Sequence, residues 1–308
     1  MSTIKNKYKL KKRLLGMNIL DGLLFKVVLY LMLIGIGFVY VYPLLYMLSV
    51  AMQDLSDLLS PSVFYIPSKF YVDNIATSFE VLNYIPTLLS SLSVTLIPAV
   101  MQTLVASLIG YGFARFNFPL KKILMAVVIL TYIIPPQVIM IPRFVLFNDL
   151  GLLESVFAII VPASLGQGLY SAVFILIFYQ FYKMIPKALD EAAQLDGASP
   201  LYIYLKIAIP LSLPSFITSF LFSFVWYWNE TYTASLFLGS AFQTLQLKLL
   251  SFVSSYQDLF PGQAALIHEG VRMAATLLII LPMLLVYLVM QRLFIQGIDQ
   301  SGLTGGES

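Results

Sequence analysis

The chain has 308 residues, of which 59% are hydrophobic and only 11% are charged, whereas about one quarter of the residues of a soluble domain are charged. This composition excludes a water-soluble fold and indicates a single integral membrane domain, and the net charge of +3 gives no sign of nucleic-acid binding. Cysteine is absent, which excludes disulfides, zinc thiolate sites and thiol nucleophiles.

Six apolar runs are long enough to cross a bilayer, since about 20 helical residues span about 30 Å of hydrocarbon. They begin near Leu23, Leu88, Ile123, Val156, Leu211 and Met273. We therefore predict an all-α integral membrane protein with six transmembrane helices over residues 23–295. A basic N-terminus, residues 1–22, precedes them, and a tail, residues 296–308, follows. The first run is too long for the core of a signal peptide.

Proline and glycine interrupt several of these runs and predict broken helices. Pro135 and Pro136 fall in the third run, and Gly166 to Gly168 fall in the fourth. The remaining prolines in or near the runs are Pro43, Pro98, Pro162 and Pro282. Breaks are tolerated where the freed backbone groups face protein or water, which slightly favours a transporter over a plain bundle.

Lys and Arg residues are divided unequally between the two sides of the predicted membrane. With both termini inside, 14 of the 18 basic residues lie in inner segments. Cytoplasmic segments hold most of the Lys and Arg residues in membrane proteins. The partition therefore predicts that both termini, and the loop of residues 183–210, are cytoplasmic.

That inner loop has strong local signals for two short helices. Pro186 suits the start of the first helix, and Gly197 suits a left-handed cap at its end. Ser199 then provides an N-cap and Pro200 the first position of a second helix, which we expect to stop by Pro210. Small side chains recur along the first helix beside a carboxylate, which indicates a docking face or, equally well, a helix resting on the membrane surface. The positions of this face are Ala188, Ala192 and Leu195, and Glu191 lies on the neighbouring face.

The loop resembles the EAA loop of ABC importer permeases. Glu191-Ala192-Ala193, three residues, Gly197, nine residues and Ile207-Ala208-Ile209-Pro210 reproduce the family spacing, with Ile209 where leucine is usual. Further stretches are similar to the carbohydrate branch of this family, of the maltose type and its smaller permease subunit. These stretches are Gly110 to Pro119, Pro135-Pro136-Gln137, Trp228-Asn229-Glu230 and Gln291 to Phe294.

The resemblance implies a type I importer fold in a bacterial or archaeal cell membrane. Two permease subunits would form the path, two ATPase subunits using ATP and Mg would drive it, and an external binding protein would deliver a sugar or oligosaccharide. The coupling residues would be Ala188, Glu191, Ala192, Ala193, Leu195, Asp196 and Gly197, and the tail from Gly297 would reach the ATPases. The sequence contains no Gly-Lys dipeptide and hence no P-loop, so it predicts no cofactor in this chain.

Polar residues interrupt the fifth run and indicate part of a solute path. Trp226, Asn229, Glu230 and Thr233 are predicted to share one helical face, and Trp228 lies beside them. A lipid-exposed carboxylate costs at least about 2.5–3.5 kcal/mol, so Glu230 should face protein or water. Aromatic and polar groups together suit a sugar, although an interfacial aromatic belt explains the pattern equally well.

Other classes of function find little support. An intramembrane enzyme needs a cluster of acid, base or metal ligands, and Glu230 has no charged neighbour in sequence. The single histidine, His268, is followed by Arg272 where a His-Glu-x-x-His site needs its second histidine. The open alternative is the same scaffold importing a polyol or glycerol phosphate.

The orientation can be tested by cysteine labelling, because the native chain has no cysteine. A cysteine in place of Ser199 should stay unlabelled by an impermeant thiol reagent added to intact cells, and should be labelled after the membrane is opened. Labelling from outside would overturn the orientation.

Overall fold

A computed structural model describes residues 22–63, 65–263 and 267–300. No β-strand occurs within these ranges, so the prediction of an all-α fold is confirmed. In chain order the helices are α1 (Leu23–Ala51), α2 (Leu55–Leu59), α3 (Asp73–Val81), α4 (Tyr84–Arg115), α5 (Lys121–Ile133), α6 (Pro136–Asp149), α7 (Phe157–Ser164), α8 (Ser171–Met184), α9 (Lys187–Leu195), α10 (Pro200–Ile203), a π-helical turn (Tyr204–Ala208), α11 (Ile209–Leu211), α12 (Leu213–Asn229), α13 (Tyr232–Leu238), α14 (Leu245–Leu250), α15 (Phe252–Leu259) and α16 (Glu269–Gln300).

Three single helices among the described residues are long and apolar enough to cross a membrane, namely α1, α4 and the Glu269–Leu293 part of α16. Three more candidates pass the same test only as bent pairs. The pairs are α5 with α6, bent by 99°, α8 with α9, bent by 71°, and the stretch Pro200–Leu211 with α12, bent by 77°. Counting each pair once gives up to six spans, which fits the predicted fold class.

The helix breaks differ in part from those predicted. Pro135 and Pro136 do separate α5 from α6, as expected. The fourth run is also broken at the predicted glycines, because α7 ends at Ser164 and α8 begins at Ser171, with left-handed residues at Gly166 (φ 73°) and Tyr170 (φ 52°) between them. The other prolines, Pro43, Pro98, Pro162 and Pro282, lie inside continuous helices.

The described chain divides into two compact units. The first comprises α1, α2, residues up to Ser78 and residues 267–277. In it, the buried Asn74 donates from Nδ2 to the carbonyl oxygens of Ala51 (3.0 Å) and Gln53 (2.8 Å). These bonds satisfy carbonyl groups where α1 ends, because the last carbonyls of a helix have no partner within it.

The second unit, residues 79–266 and 278 onward, is organised around α4. Helices α7, α8 and α12 all pack against it, and α8 does so most extensively. The close approach depends on Gly110, where an added Cβ would lie 2.7 Å from Phe178 Cβ and 2.9 Å from the Tyr179 amide nitrogen. Small residues at helix crossings allow this spacing in membrane proteins.

The crossing can be tested with two alanine substitutions on one helix. Gly110→Ala should destabilise the fold by about 1–3 kcal/mol, because the new methyl group meets backbone that cannot move aside. Gly112→Ala is the matched control, since an added Cβ there meets no atom within 4 Å. It should stabilise the helix by about 0.5–1 kcal/mol. Thermal unfolding of the purified protein in detergent measures both, and equal midpoints would contradict the close crossing.

Candidate functional site

The first helix of the loop ends in the turn that the sequence predicts. Gly197 has φ +84°, and its amide donates to Gln194 O at 3.0 Å, while the Ala198 amide donates to Ala193 O at 2.9 Å. This pair of bonds is the Schellman motif, which needs a left-handed residue. Since a β-branched side chain is strained in that conformation, Gly197 sets the direction of the chain toward α10.

The second helix begins as predicted but ends later. Ser199 Oγ accepts a hydrogen bond from the Tyr202 amide at 3.2 Å, and Pro200 occupies the first turn. The helix continues through the π-helical turn to Leu211, one residue beyond the predicted stop at Pro210. Pro210 is the second residue of α11 and directly follows the π-helical turn and Ile209.

The predicted coupling residues lie on α9 and in the turn that follows it. Ala193 is half-buried. The exposed members are Ala188, Glu191, Ala192, Leu195, Asp196 and Gly197. Leu195, at the end of α9, has 89% of its surface exposed. Ala188, Ala192 and Leu195 therefore form an exposed apolar face beside Glu191.

An ion pair fixes the opposite side of α9 to the central helix. Arg115 Nε lies 3.0 Å from Asp190 Oδ2, and the two side chains are only 6% and 14% exposed. Arg115 Nη2 also donates to Ile185 O at 3.0 Å, at the bend between α8 and α9. The end of α4 thus holds both the start of the loop and its first helix.

A buried hydroxyl cluster supports the second helix of the loop. Ser107 Oγ on α4 lies 2.7 Å from Tyr182 Oη and 3.0 Å from Tyr204 Oη, and Ser212 Oγ donates to Tyr182 Oη at 3.1 Å. Tyr182 is fully buried. Buried hydroxyls need such partners, because an unpaired polar group away from water costs free energy. Sequence reasoning missed this cluster, since its members lie far apart along the chain.

A cavity with a volume of about 370 Å³ lies in the second unit where three interrupted helices meet. Its walls come from residues 131–143, residues 166–172 and residues 230–237. Polar groups on the wall include the side chains of Thr131, Gln137, Gln167 and Ser171, beside the rings of Tyr132, Tyr170 and Tyr232. A concave site with aromatic rings and a few polar groups is typical of small-molecule binding.

Side chains from other helices hold in place the cavity loop, which we define as residues 166–170 between α7 and α8. Gln102 Nε2 donates to Leu169 O at 2.8 Å, Tyr227 Oη donates to Gln102 Oε1 at 2.8 Å, and the Leu169 amide donates to Tyr227 Oη at 3.1 Å. Gly168 lies directly against these groups, so no side chain fits there. The network satisfies backbone groups that the helix break leaves free.

The four residues predicted to share one helical face do not do so, because α12 ends at Asn229 and a new helix begins at Tyr232. Glu230 and Thr233 line the cavity, whereas Trp226, Trp228 and Asn229 do not. Trp226 lies behind the wall, with its ring centroid 4.7 Å from that of Tyr170. Trp228 is 3% exposed and stacks on Phe224, and Asn229 is exposed, with Nδ2 donating to Val225 O at 2.8 Å.

Arg143 is a cavity residue that the sequence did not reveal. Helix α6 continues through this residue and places it on the cavity wall. Arg143 and Glu230 are the charged side chains among the described lining residues. Neither of them forms an ion pair with a described side chain. Arg143 reaches the cavity because α6 folds back toward Gln167, which the sequence alone does not reveal.

The ion pair on α9 gives a sharp test of local stability. Asp190→Asn would leave Arg115 nearly buried without its counter-charge, a change that costs up to about 3–5 kcal/mol at fully buried sites. We expect faster hydrogen exchange of the α9 amides in the membrane-embedded protein. Glu191→Gln is the matched control, because Glu191 is the neighbouring carboxylate and is exposed. Equal exchange in both variants would show that the pair does not hold the helix.

Comparisons with known proteins identify the family to which this fold and this loop belong. Residues 102–300 match the family described as binding-protein-dependent transport system inner membrane component. The polygalacturonan/rhamnogalacturonan transport system permease protein YtcP of Bacillus subtilis (strain 168) is 30% identical over 281 residues, which cover 89% of this chain and 96% of that protein. The lactose transport system permease protein LacG of Rhizobium radiobacter is 30% identical over 262 residues, which cover 85% of this chain and 90% of that protein.

A solved structure shows the same fold. It is a chain of a bacterial ABC transporter involved in the import of the acidic polysaccharide alginate, with a TM-score of 0.72 and 22% identity, covering 87% of this chain and 96% of that one. The family match and the extent of these similarities identify the protein. It belongs to the inner membrane components of binding-protein-dependent transport systems, and it is a non-enzymatic permease subunit of an ABC importer.

Proposed function

We propose that this permease forms, with a second permease subunit, the membrane path for a sugar or oligosaccharide. An external binding protein delivers the solute, and two separate ATPase subunits that use ATP and Mg drive its entry. The substrates named for the relatives support a saccharide, since they are a polygalacturonan or rhamnogalacturonan and lactose. The cavity supports it too, because sugar rings pack on aromatic faces and bind amide and hydroxyl groups.

The single observation that carries the coupling role is the geometry of α9. Its Ala188, Ala192 and Leu195 face is exposed, while Asp190 on its other side is held by Arg115. A helix that is fixed on one side and presents small apolar side chains on the other can enter a groove on a partner and pass on its movement. A helix resting on the membrane surface would need none of the fixing contacts to the end of α4.

For the solute path we propose Glu230 and Thr233 as lining residues. Trp226 supports the path from behind through Tyr170. The Glu230 carboxylate accepts a hydrogen bond from the Thr233 amide at 2.7 Å, so it also closes the first turn of α13. A polyol or glycerol phosphate stays the alternative solute on this scaffold.

The proposed orientation follows from the basic residues of the sequence, with the N-terminal segment 1–22, the α9 loop and the tail 296–308 on the cytoplasmic side. Helix α16 continues through Gln300, and the proposed contact of the tail with the ATPases falls largely on residues 301–308, outside the described residues. The exposed apolar side chains of α1, such as Leu31, Ile34 and Val39, suit contact with lipid or with the second permease.

Substitution of Ala192 tests the coupling role in the assembled importer. Ala192→Trp should leave the protein in the membrane but lower the ATPase that co-purifies with it at least tenfold, because the indole holds the two surfaces apart. Ala192→Ser is the matched control and should co-purify normally, since it adds one small atom at the same exposed position.

Uptake measurements in the same strains separate the parts of the proposal. Deletion of this gene should abolish saccharide uptake. Ala192→Trp should abolish it as well, whereas Ala192→Ser should retain it. Normal uptake and normal ATPase binding by Ala192→Trp would remove α9 as the coupling element. Loss of polyol or glycerol phosphate uptake in the deletion strain, with saccharide uptake unchanged, would establish the alternative solute.

A further inference from the structure

We propose that the cavity of this permease takes an acidic saccharide, with the Arg143 guanidinium binding the carboxylate of a uronate-type sugar unit. The inference rests on the proposed function, since it names the substrate class of the same path. Three observations support it: the orientation and free donors of Arg143, the hydrogen bond that Glu230 accepts, and the polar and aromatic residues that line the cavity.

Arg143 is held in a fixed orientation on the cavity wall. Its Nη2 atom donates to Gln167 O at 3.1 Å, and its guanidinium carbon lies 5.9 Å from the centroid of the Phe147 ring. Phe147 is itself buried and packs against Phe237, with 5.1 Å between ring centroids. An arginine held from two sides loses little further freedom when it binds a ligand.

The remaining donors of Arg143 have no partner among the described residues. A guanidinium has five N–H donors, and the bond to Gln167 O uses one of them. No described carboxylate lies within ion-pair distance of Arg143. A half-buried arginine with free donors at a cavity wall is suited to a planar carboxylate, which two parallel N–H groups can bind together.

Glu230 also lines the cavity, but it does not form an ion pair with Arg143. Its Oε1 atom accepts the hydrogen bond of the Thr233 amide, at the positive end of α13. A carboxylate is stabilised at the first turn of a helix, so Glu230 is compensated there without Arg143. This hydrogen bond places the Glu230 carboxyl beside the cavity, where it influences which anions can enter.

The presence of both charges favours a carboxylate over a phosphate. Arg143 and Glu230 together make the wall nearly neutral. A phosphate monoester carries about −1.5 to −2 charge at neutral pH and would be repelled by Glu230 with a single cation to offset it. A monoanionic carboxylate needs only the one guanidinium. The amide side chains of Gln137 and Gln167 then remain for sugar hydroxyl groups.

The volume and the aromatic rings suit a sugar ring next to that carboxylate. The cavity of about 370 Å³ lies within the size range of small-molecule sites. Tyr132 and Tyr170 form an aromatic pair on its wall, with 6.4 Å between ring centroids. A neutral sugar could enter as well, but it would leave the Arg143 donors unpaired and would gain no charge-assisted bond.

The experiment compares an acidic oligosaccharide with its own neutral form in the assembled importer. The probes are a trigalacturonate and its fully methyl-esterified form, supplied to proteoliposomes that contain the complete complex with its binding protein. Arg143→Gln should lower uptake of the acid relative to the ester by about 10- to 100-fold, the value of one charge-assisted bond. Arg143→Lys should lower it less, because it keeps the charge but loses the planar fork.

Arg272→Gln serves as the matched control, because Arg272 is an exposed arginine outside the cavity. It should change neither uptake. Equal effects of Arg143→Gln on acid and ester would overturn the inference while leaving a saccharide path intact. A selective loss of sugar phosphate uptake would overturn it in favour of phosphate. Failure of the wild-type importer to take up any saccharide would instead refute the proposed function itself.

Discussion

The close contact between α4 and α8 at Gly110 is the constraint on which the second unit depends. The backbone of α8 lies where the side chain of any larger residue on α4 would have to be. In a bilayer the association of helices is driven by packing and hydrogen bonds, since lipid tails are as apolar as leucine. Close backbone contact therefore replaces the hydrophobic effect that would hold two helices together in water.

Helix α4 also connects the two candidate sites. Near its middle, Gln102 holds the cavity loop, and near its end, Arg115 holds the loop helix through Asp190. Ser107, between these two, bonds to the tyrosines beneath the second loop helix. A single rigid helix with contacts at both sites is a physical connection between them.

The breaks in the helices occur where the protein can satisfy the backbone groups that each break frees. Residues 166–170 leave helical geometry, and the side chains of Gln102 and Tyr227 bond to the backbone of Leu169. At the end of α12 the carboxylate of Glu230 accepts a hydrogen bond from the amide of Thr233. The same polar groups that permit the breaks also line or border the cavity. Function and backbone satisfaction are therefore served by one set of side chains.

By itself the sequence determined what depends on neighbours along the chain. Apolar run length indicated a membrane protein, and the short-range signals at Gly197 and Ser199 correctly predicted the turn between α9 and α10. The motif around Glu191 indicated the family, because its spacing lies within one loop. Ala192 and Ala193 could not be told apart in this way, since which one faces outward depends on how α9 is anchored.

Only the tertiary structure decided the cavity. The run around Glu230 reads as one amphipathic helix, yet the chain leaves helical geometry there, and Trp228 turns into the bundle. Arg143 belongs to no sequence motif, yet the bend of 99° between α5 and α6 brings it beside Gln167. Helical periodicity assumes an unbroken helix. The places where helices break are set by partners distant in sequence, which a local pattern does not contain.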